Sequence, residues 1–238
     1  MKTDLHDIPP ARTVVITGAG GALGRAVTAR FRREGAQLAL LGRDQQGLRA
    51  QLGDLAAGAL LLAADVTSEE SVSAAMEQVI ARYQRVDVLV HVAGGFEMSG
   101  PVQALSRAAW DRMFDLNAWS FVAVTHDLVP LMRAQKRGSI IAVSSRAARE
   151  GDANMAAYSA SKSALQRLVE SLSKEVRGDG INVNSVAPTT LDTPANRRAM
   201  PGADPRDWVS TERAAEAIAY LASDAGSVVQ GQHLLVGT

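Results

Sequence analysis

The chain has 238 residues, of which 47% are hydrophobic and 21% are charged, enough apolar content for one large α/β domain with a full core. Its 25 basic and 25 acidic side chains cancel, so neither nucleic acid nor an acidic membrane surface is an expected partner. The sequence contains no cysteine, which excludes disulfides and thiolate catalysis, and no metal site is predicted.

Short apolar runs alternate with amphipathic segments of helix length along most of the chain. Strands are predicted at 13–17, 37–41, 59–63, 86–90, 139–143, 181–186 and 234–236. Helices are predicted at 22–34, 44–52, 68–83, 106–135 with a break near Asn117, 157–177 and 211–222. Because continuously apolar strands are buried on both faces, the alternation predicts a doubly wound parallel sheet of about seven strands, the Rossmann architecture, in a single domain over 1–238.

Two segments fall outside this alternation. Residues 1–11 carry charges and a Pro-Pro pair, and are predicted to be a flexible N-terminus, neither a signal peptide nor a membrane span, so a cytoplasmic protein is expected. Residues 188–208 contain four prolines and one glycine. Loops after the carboxyl ends of parallel strands line the ligand crevice, so this second segment is predicted to cover the substrate.

A glycine-rich turn joins the first predicted strand to the first helix. Glycines let the backbone approach a pyrophosphate, and the start of the helix offers unpaired N–H groups. The spacing fits T-G-x-x-x-G-x-G and not the strict G-x-G-x-x-G pattern. The turn therefore predicts a dinucleotide site, with contacts from Gly18, Gly20, Gly21, Leu23 and Gly24.

The residues after the next two strands bear on which dinucleotide binds. Where a carboxylate would accept hydrogen bonds from the adenosine ribose, the chain has Gly42-Arg43, and a guanidinium favours a 2′-phosphate. NADP(H) is therefore the preferred cofactor and NAD(H) the alternative, although Arg43 could instead pair with Asp44 or lie in solvent. Asp65 and Val66 follow the third strand, where Asp65 either contacts the adenine or caps the following helix.

Tyr158 and Lys162 are four residues apart, which places them on one face of a helix, and Ser145 precedes them by thirteen residues. To act as both acid and base near neutral pH, a phenol must lose roughly 2 to 3 pKa units from its ordinary value. A nearby ammonium can lower a phenol pKa in this way. The three residues therefore predict a site that protonates a carbonyl oxygen.

These residues, in this order, resemble the classical short-chain dehydrogenase/reductase family over residues 12–236. The shared landmarks are the glycine loop, Asp65-Val66, an Ala93-Gly94 pair after the fourth strand, and Asn117, Ser145, Tyr158, Lys162, Asn184, Pro188 and Thr193. The resemblance implies an NAD(P)(H)-dependent oxidoreductase that interconverts the carbonyl and alcohol forms of a small molecule. It also implies a homo-oligomer, a tetramer or a dimer.

The resemblance implies a catalytic tetrad of Asn117, Ser145, Tyr158 and Lys162, with Tyr158 as the acid and base. Ser145 would hydrogen-bond the substrate oxygen, Lys162 would hold the nicotinamide ribose and lower the pKa of Tyr158, and Asn117 would position a water molecule. Cofactor contacts are implied for Asn117, Tyr158 and Lys162 together with Ala93, Gly94, Pro188, Thr189, Leu191 and Thr193.

The chain departs from the family pattern at two places that bear on the site. His91-Val92 stands where the family has Asn-Asn, so the side-chain bonds that brace the central strands are replaced. His91 is either catalytic or a structural residue with satisfied hydrogen bonds, and the structural reading is preferred. Thr189 stands where the family has a glycine.

Two other functions remain open, and the substrate pocket has a prediction of its own. Segments 21–24, 92–96 and 190–208 are similar to dihydropteridine reductases, although Ser145 and Arg43 argue against a pterin substrate. A dinucleotide-binding sensor without turnover is the second alternative, and the intact tetrad argues against it. An apolar substrate pocket is predicted from Phe96, Met155, Met200 and Trp208, each of which fits a core position equally well.

Overall fold

A computed structural model of the chain describes residues 11–237, so the predicted flexible N-terminus lies, except for Ala11, outside the described residues. The strands are β1 Thr13–Thr17, β2 Gln37–Gly42, β3 Leu60–Ala63, β4 Val88–His91, β5 Gly138–Val143, β6 Ile181–Pro188, β7 Leu191–Asp192, β8 Val209–Ser210 and β9 His233–Val236. The helices are α1 Ala22–Arg33, α2 Gln45–Leu52, α3 Glu69–Tyr83, α4 Arg107–Phe114, α5 Ser120–Gln135, α6 Ala156–Glu175, α7 Pro194–Ala199 and α8 Thr211–Leu221.

Seven strands form one parallel sheet in the order β3-β2-β1-β4-β5-β6-β9. The chain runs outward from β1 to β3 and then returns to the other side of β1 with β4, so the strand order reverses between β1 and β4. Ligands of open α/β sheets bind at the carboxyl ends of the strands beside such a reversal. The predicted single-domain, doubly wound parallel sheet is confirmed.

Alternate residues of the central strands face two separate cores. On β1, Val15 packs into one apolar cluster with α3, α5 and α6, while Val14 and Ile16 pack into the other with α1 and α8. All three side chains are fully buried. Burial on both faces explains why the strands read as continuous apolar runs and not as alternating patterns.

The segment 188–208 contains structure that the sequence analysis did not predict. β7 and β8 pair as a separate two-stranded parallel sheet, with Leu191 opposite Val209. Between them, Thr193 caps α7 by accepting a hydrogen bond from the backbone N–H of Asn196, and Pro194 takes the first helical position, where no N–H is needed. Elements of two and six residues are too short to produce a hydrophobic period.

Among residues 11–237, no helix combines the length and the apolar character that a membrane crossing would require. The same residues contain no cluster of three or more His, Asp or Glu side chains arranged to hold a metal ion.

Candidate active site

Helix α6 places Lys162 beneath the carboxyl ends of β4 and β5. Its ammonium Nζ donates a hydrogen bond of 3.0 Å to the carbonyl oxygen of Val143, the last residue of β5, and the side chain is almost fully buried. Burial disfavours the charged form and lowers the pKa of Lys162 to about 8. The amine is therefore close to its titration point near neutral pH.

Tyr158 lies one turn earlier on the same helix, beside Ser145. Burial raises the pKa of Tyr158 above its ordinary value, and the Ser145 hydroxyl acts in the opposite direction. The lowering of this pKa by Lys162 stays a prediction, since burial and the Ser145 hydroxyl are the two causes that act on Tyr158 in this structure. Tyr158 is thus a protonated phenol at neutral pH.

Ser145 follows β5 in an extended conformation and begins a short 3-10 turn, where its hydroxyl accepts a hydrogen bond of 3.2 Å from the backbone N–H of Ala147. The hydroxyl hydrogen remains available to a second acceptor. The neighbouring Ser144 hydroxyl is buried with no hydrogen-bond partner in the structure. Ser144 is therefore enclosed by packed protein, unlike Ser145.

Asn117 lies where a break was predicted in the helix after residue 106, and the break is a π-helical turn over Asp115–Trp119 that joins α4 to α5. Its amide is bound on both sides by Gly95: Oδ1 accepts from the Gly95 N–H at 2.9 Å, and Nδ2 donates to the Gly95 carbonyl at 3.0 Å. Nδ2 also donates to the Ser161 hydroxyl at 3.0 Å. The sequence analysis missed Ser161, whose position directly before Lys162 on α6 was the available signal.

Gly94 is the point at which Asn117 and Lys162 come together. A Cβ atom placed on Gly94 would lie 2.9 Å from Oδ1 of Asn117 and 3.0 Å from Nζ of Lys162. A side chain there would therefore displace both groups. Because Gly94 has no side chain, Ala93 and Gly94 form a bare backbone surface, the floor of the site, next to Asn117 and Lys162. This floor lies where the strand order reverses between β1 and β4.

Of the four predicted pocket residues, Phe96 contacts a predicted catalytic residue, and the other three are placed by the segments that carry them. The ring of Phe96 meets the ring of Tyr158 edge to face, with 5.0 Å between the centroids, yet Phe96 is 57% exposed. Met155 immediately precedes α6. Met200 and Trp208 lie on the segment 188–208, beyond the carboxyl end of β6, and their place in a pocket stays a prediction.

Two positions of the glycine loop require glycine, Gly18 for its backbone conformation and Gly24 for lack of space. Gly18 has a φ of 64°, and a Cβ atom there would come within 2.9 Å of the Ala93 nitrogen. A Cβ atom on Gly24 would overlap the carbonyl oxygen of Gly18. The space at Gly20 is limited only by the flexible end of the Gln51 side chain. The loop thus lies tightly against the floor formed by residues 93–94.

Neighbouring caps remove one alternative for Arg43, the pairing with Asp44, and one for Asp65, the helix cap. Asp44 caps α2 by accepting from Gly47, and α3 is capped by Ser68, so Asp65 is not the helix cap. The Asp65 carboxylate instead accepts from the N–H and the hydroxyl of Thr67, which lower its pKa, and the charge of Arg43 lowers it further. Arg43 and Asp65 are both exposed, at the ends of β2 and β3.

The last predicted cofactor contacts follow the carboxyl end of β6. Pro188 ends the strand, and the Thr189 hydroxyl is buried with no hydrogen-bond partner in the structure. Leu191 is held in the small β7–β8 sheet. The Thr193 hydroxyl caps α7 by accepting a hydrogen bond from the backbone N–H of Asn196, so it still has a hydrogen to donate. Buried polar groups are normally satisfied, so the Thr189 hydroxyl has an unused hydrogen-bonding capacity that a ligand group could satisfy.

The fold and the site together define a class: a parallel α/β sheet with a nucleotide-type glycine loop, and a Tyr-Lys pair with Ser and Asn at the adjacent strand ends. The family model described as short chain dehydrogenase matches residues 12–203. The chain belongs to the short chain dehydrogenase family.

Similar proteins cover almost the whole chain. Cis-4-hydroxycyclohexanecarboxylate dehydrogenase of Sinomonas cyclohexanicum is 36% identical over 236 residues, with 94% of each chain covered. Among solved structures, levodione reductase has a TM-score of 0.88 at 26% identity and covers 95% of this chain and 96% of its own. A structure of NAD+-bound xylitol dehydrogenase has a TM-score of 0.87 at 26% identity, with 95% and 97% covered.

These findings make the protein an NAD(P)(H)-dependent oxidoreductase that interconverts a carbonyl and an alcohol. They do not favour the dihydropteridine reductase reading or the sensor without turnover.

Proposed function

We propose that Ser145, Tyr158, Lys162 and Asn117 are the catalytic residues and that the protein preferentially uses NADP(H). The observation that carries the proposal is the meeting of two elements at Gly94, the π-turn with Asn117 and the helix with Tyr158 and Lys162, of which Lys162 is also bonded to the end of β5. Catalysis by general acids depends on such positioning of the proton donor.

In carbonyl reduction, the protonated phenol of Tyr158 donates its proton to the carbonyl oxygen. The Ser145 hydroxyl donates a hydrogen bond to the same oxygen and stabilises the charge that develops on it. The raised pKa of Tyr158 suits this direction, because the phenol is protonated at neutral pH. Phe96, packed edge to face on Tyr158, supplies an apolar wall beside the reacting carbon.

The residues at the carboxyl edge of the sheet fit a nicotinamide dinucleotide. Gly18 and Gly24 hold the loop in a tight turn against backbone atoms that leave no room for a Cβ atom, and the buried Thr189 hydroxyl lacks a partner. The glycine loop would hold the pyrophosphate, Lys162 the nicotinamide ribose, and Thr189 or Thr193 the carboxamide. When bound, the nicotinamide supplies the hydride.

The preference for a 2′-phosphate rests on Arg43. Its neighbour Asp44 is occupied as a helix cap, so the guanidinium at the end of β2 is available for a phosphate. Asp65 lies near enough to Arg43 for the two charges to interact, which moderates the preference.

Turnover with Tyr158→Phe against Tyr220→Phe tests the catalytic assignment. 4-Hydroxycyclohexanecarboxylate and its ketone, taken from the relative's name, are the first substrates. Loss of the proton donor should lower kcat by about 10²- to 10⁴-fold. Tyr220 is a half-exposed tyrosine on α8, so its variant should keep full activity. Equal activity of both variants would remove Tyr158 from the chemistry.

The cofactor preference is tested by fluorescence titration with NADPH and NADH. Arg43→Ala should weaken NADPH binding by about 10- to 100-fold and leave NADH binding nearly unchanged. Arg49→Ala, which removes an exposed arginine from the last turn of α2, is the matched control. Tighter binding of NADH by the wild type, indifferent to Arg43, would reverse the preference.

We also propose that the protein forms a homo-oligomer, a tetramer or a dimer. The support is the exposed apolar surface on the edge strand β9, where Leu234 and Leu235 are each more than one third exposed, and on the preceding turn at Val228. Light scattering coupled to size exclusion should give a mass two or four times that of the 25.1 kDa chain. A monomer at all concentrations would overturn this proposal. The cytoplasmic location stays a prediction.

A further inference from the structure

His91, the last residue of β4, is a buried polar side chain to which the proposed reaction gives no role. It is fully buried and packs edge to face on Phe121, with 5.8 Å between the ring centroids. Burial, and next the charge of Lys162, lower the pKa of His91 to about 3. The imidazole is therefore neutral near pH 7.

The hydrogen bonds around the ring determine which nitrogen carries the hydrogen. The Ser120 hydroxyl donates to the carbonyl oxygen of Leu116 at 2.7 Å, so its oxygen accepts from Nε2–H of His91, 3.1 Å away. The neutral ring then has a bare Nδ1. That nitrogen accepts from the Thr17 hydroxyl at 3.0 Å.

The bonds form a single directed chain across the switch point. The Thr17 oxygen itself accepts from the backbone N–H of Ala93 at 3.1 Å. Hydrogen bonds therefore run from Ala93 through Thr17, His91 and Ser120 to the Leu116 carbonyl, with each hydroxyl both accepting and donating. The Nδ1–H tautomer would leave Thr17 without an acceptor and Ser120 without a donor.

The two ends of this chain are attached to different parts of the site. Thr17 and Ala93 border the glycine loop and the floor at Gly94. Leu116 and Ser120 hold the π-turn that carries Asn117. A π-turn is rare and requires tertiary contacts to persist within a helical segment, and the bond from His91 to Ser120 attaches its end to the sheet.

We propose that His91 is a positioning residue, a neutral Nε2–H imidazole that fixes the π-turn of Asn117 against the end of β1. The proposal rests on the function proposed above, in which Asn117 and the floor at Gly94 belong to the reaction site. His91 touches neither substrate nor cofactor and acts through Ser120 and Thr17.

Three substitutions of His91 test the two ends of the hydrogen-bond chain separately. In His91→Gln the amide nitrogen lies nearest the position of Nε2 and keeps the bond to Ser120, so kcat should stay within about 3-fold of wild type while NADPH binding weakens. In His91→Asn the amide oxygen lies nearest Nδ1 and keeps the bond to Thr17, so NADPH binding should stay and kcat should fall about 10-fold or more. His91→Phe should lose both. A role in stability alone would not divide kcat and NADPH affinity in this way.

The tautomer is measured on protein labelled with 15N in its four histidines and containing neither nucleotide nor substrate. The signal missing from His91→Gln identifies His91. It should show a hydrogen on Nε2, a bare Nδ1 and no titration between about pH 5 and 8. A hydrogen on Nδ1, or titration within that range, would overturn the proposal.

The kinetic measurements decide the rest. Three variants with the same kcat and the same NADPH affinity would also overturn the proposal. If His91→Phe does not fold, Ser120→Ala replaces it, and its kcat should fall as in His91→Asn. Absence of turnover in the wild type would count against the proposed function instead, and the tautomer and the NADPH titrations would still decide the role of His91.

Discussion

Lys162 and Arg43 are two cations at the same edge of the sheet, but Lys162 is buried and Arg43 is exposed. Lys162 is 5% exposed, donates to the end of β5, and has a pKa lowered to about 8. Arg43 is exposed beside a carboxylate whose pKa it helps to lower. Burial makes one charge adjustable and suited to proton chemistry, whereas the exposed guanidinium presents the forked N–H donors that suit recognition of a phosphate.

Removing the buried cation should have the largest effect. Lys162→Met should lower kcat by about 10²- to 10⁴-fold, because the proposed anchor of the nicotinamide ribose is lost together with the cation one turn from Tyr158. Steady-state kinetics with NADPH measure this effect. Lys174→Met, on the exposed last turn of α6, is the control and should be fully active. A fully active Lys162→Met would show that the buried cation has no part in the chemistry.

The same substitution should stabilise the fold. A lysine with a pKa of about 8 when folded and about 10.4 when unfolded costs up to about 3 kcal/mol at pH 7. Between about pH 8 and about pH 10.4 the unfolded chain binds more protons than the folded protein, so wild-type stability should rise with pH relative to Lys162→Met. Urea denaturation at pH 7 and pH 10 checks the sign. A stability gap that stays constant between these pH values would contradict the lowered pKa.

Two substitutions in the glycine loop form a matched pair, with the next largest expected effect. Gly24→Ala should destabilise the fold by about 2 to 3 kcal/mol and abolish dinucleotide binding, because the new Cβ atom meets the backbone at Gly18. Gly20→Ala overlaps the flexible end of Gln51 and makes an ordinary contact with Leu48, so it should cost under about 1 kcal/mol. Thermal unfolding with and without NADPH measures both. Equal losses in the two variants would mean that the loop has another conformation in solution.

Acid should lower the free energy of unfolding through the buried imidazole of His91. His91 has a pKa of about 3 when folded and about 6.5 when unfolded, so the unfolded chain binds the extra proton and stability falls as the pH drops from about 6.5 towards 3. At pH 5 the loss should be about 2 kcal/mol relative to pH 7. Urea denaturation of wild type and His91→Gln gives the comparison. The variant should lose correspondingly less, and parallel losses would exclude His91 as the source.

Much of this architecture was predictable because it depends on local pattern. The strands around the switch point have continuous apolar runs, and the glycine loop, Tyr158 and Lys162 stand at fixed distances along the chain. The break near Asn117 was predicted as well, although its form as a π-turn depends on bonds to Gly95, which no periodicity contains.

The burial and the hydrogen-bond partners of the site residues could not be predicted from the sequence. The pKa of Tyr158 depends on how deeply α6 is buried, and the chain's own pattern suggested the opposite direction. The chain of bonds through His91 joins residues up to 103 positions apart, from Thr17 to Ser120. Only the assembled sheet brings such residues together, so their hydrogen-bond directions were beyond local reasoning.

The smallest expected effect tests whether Asp65 moderates the charge of Arg43 at the exposed end. Both hydrogen bonds from Thr67 go to the same carboxylate oxygen, so Asp65→Asn can keep them and remove only the charge. NADPH should then bind about 2- to 5-fold more tightly and NADH unchanged, with the gain declining at high salt because the site is exposed.

In an Arg43→Ala background the gain from Asp65→Asn should disappear, since the carboxylate would then have no guanidinium to neutralise. A gain that persisted without Arg43 would mean that Asp65 repels the 2′-phosphate directly. The recognition of the phosphate would then depend on the balance of two opposing charges at the strand ends, and not on a single cation.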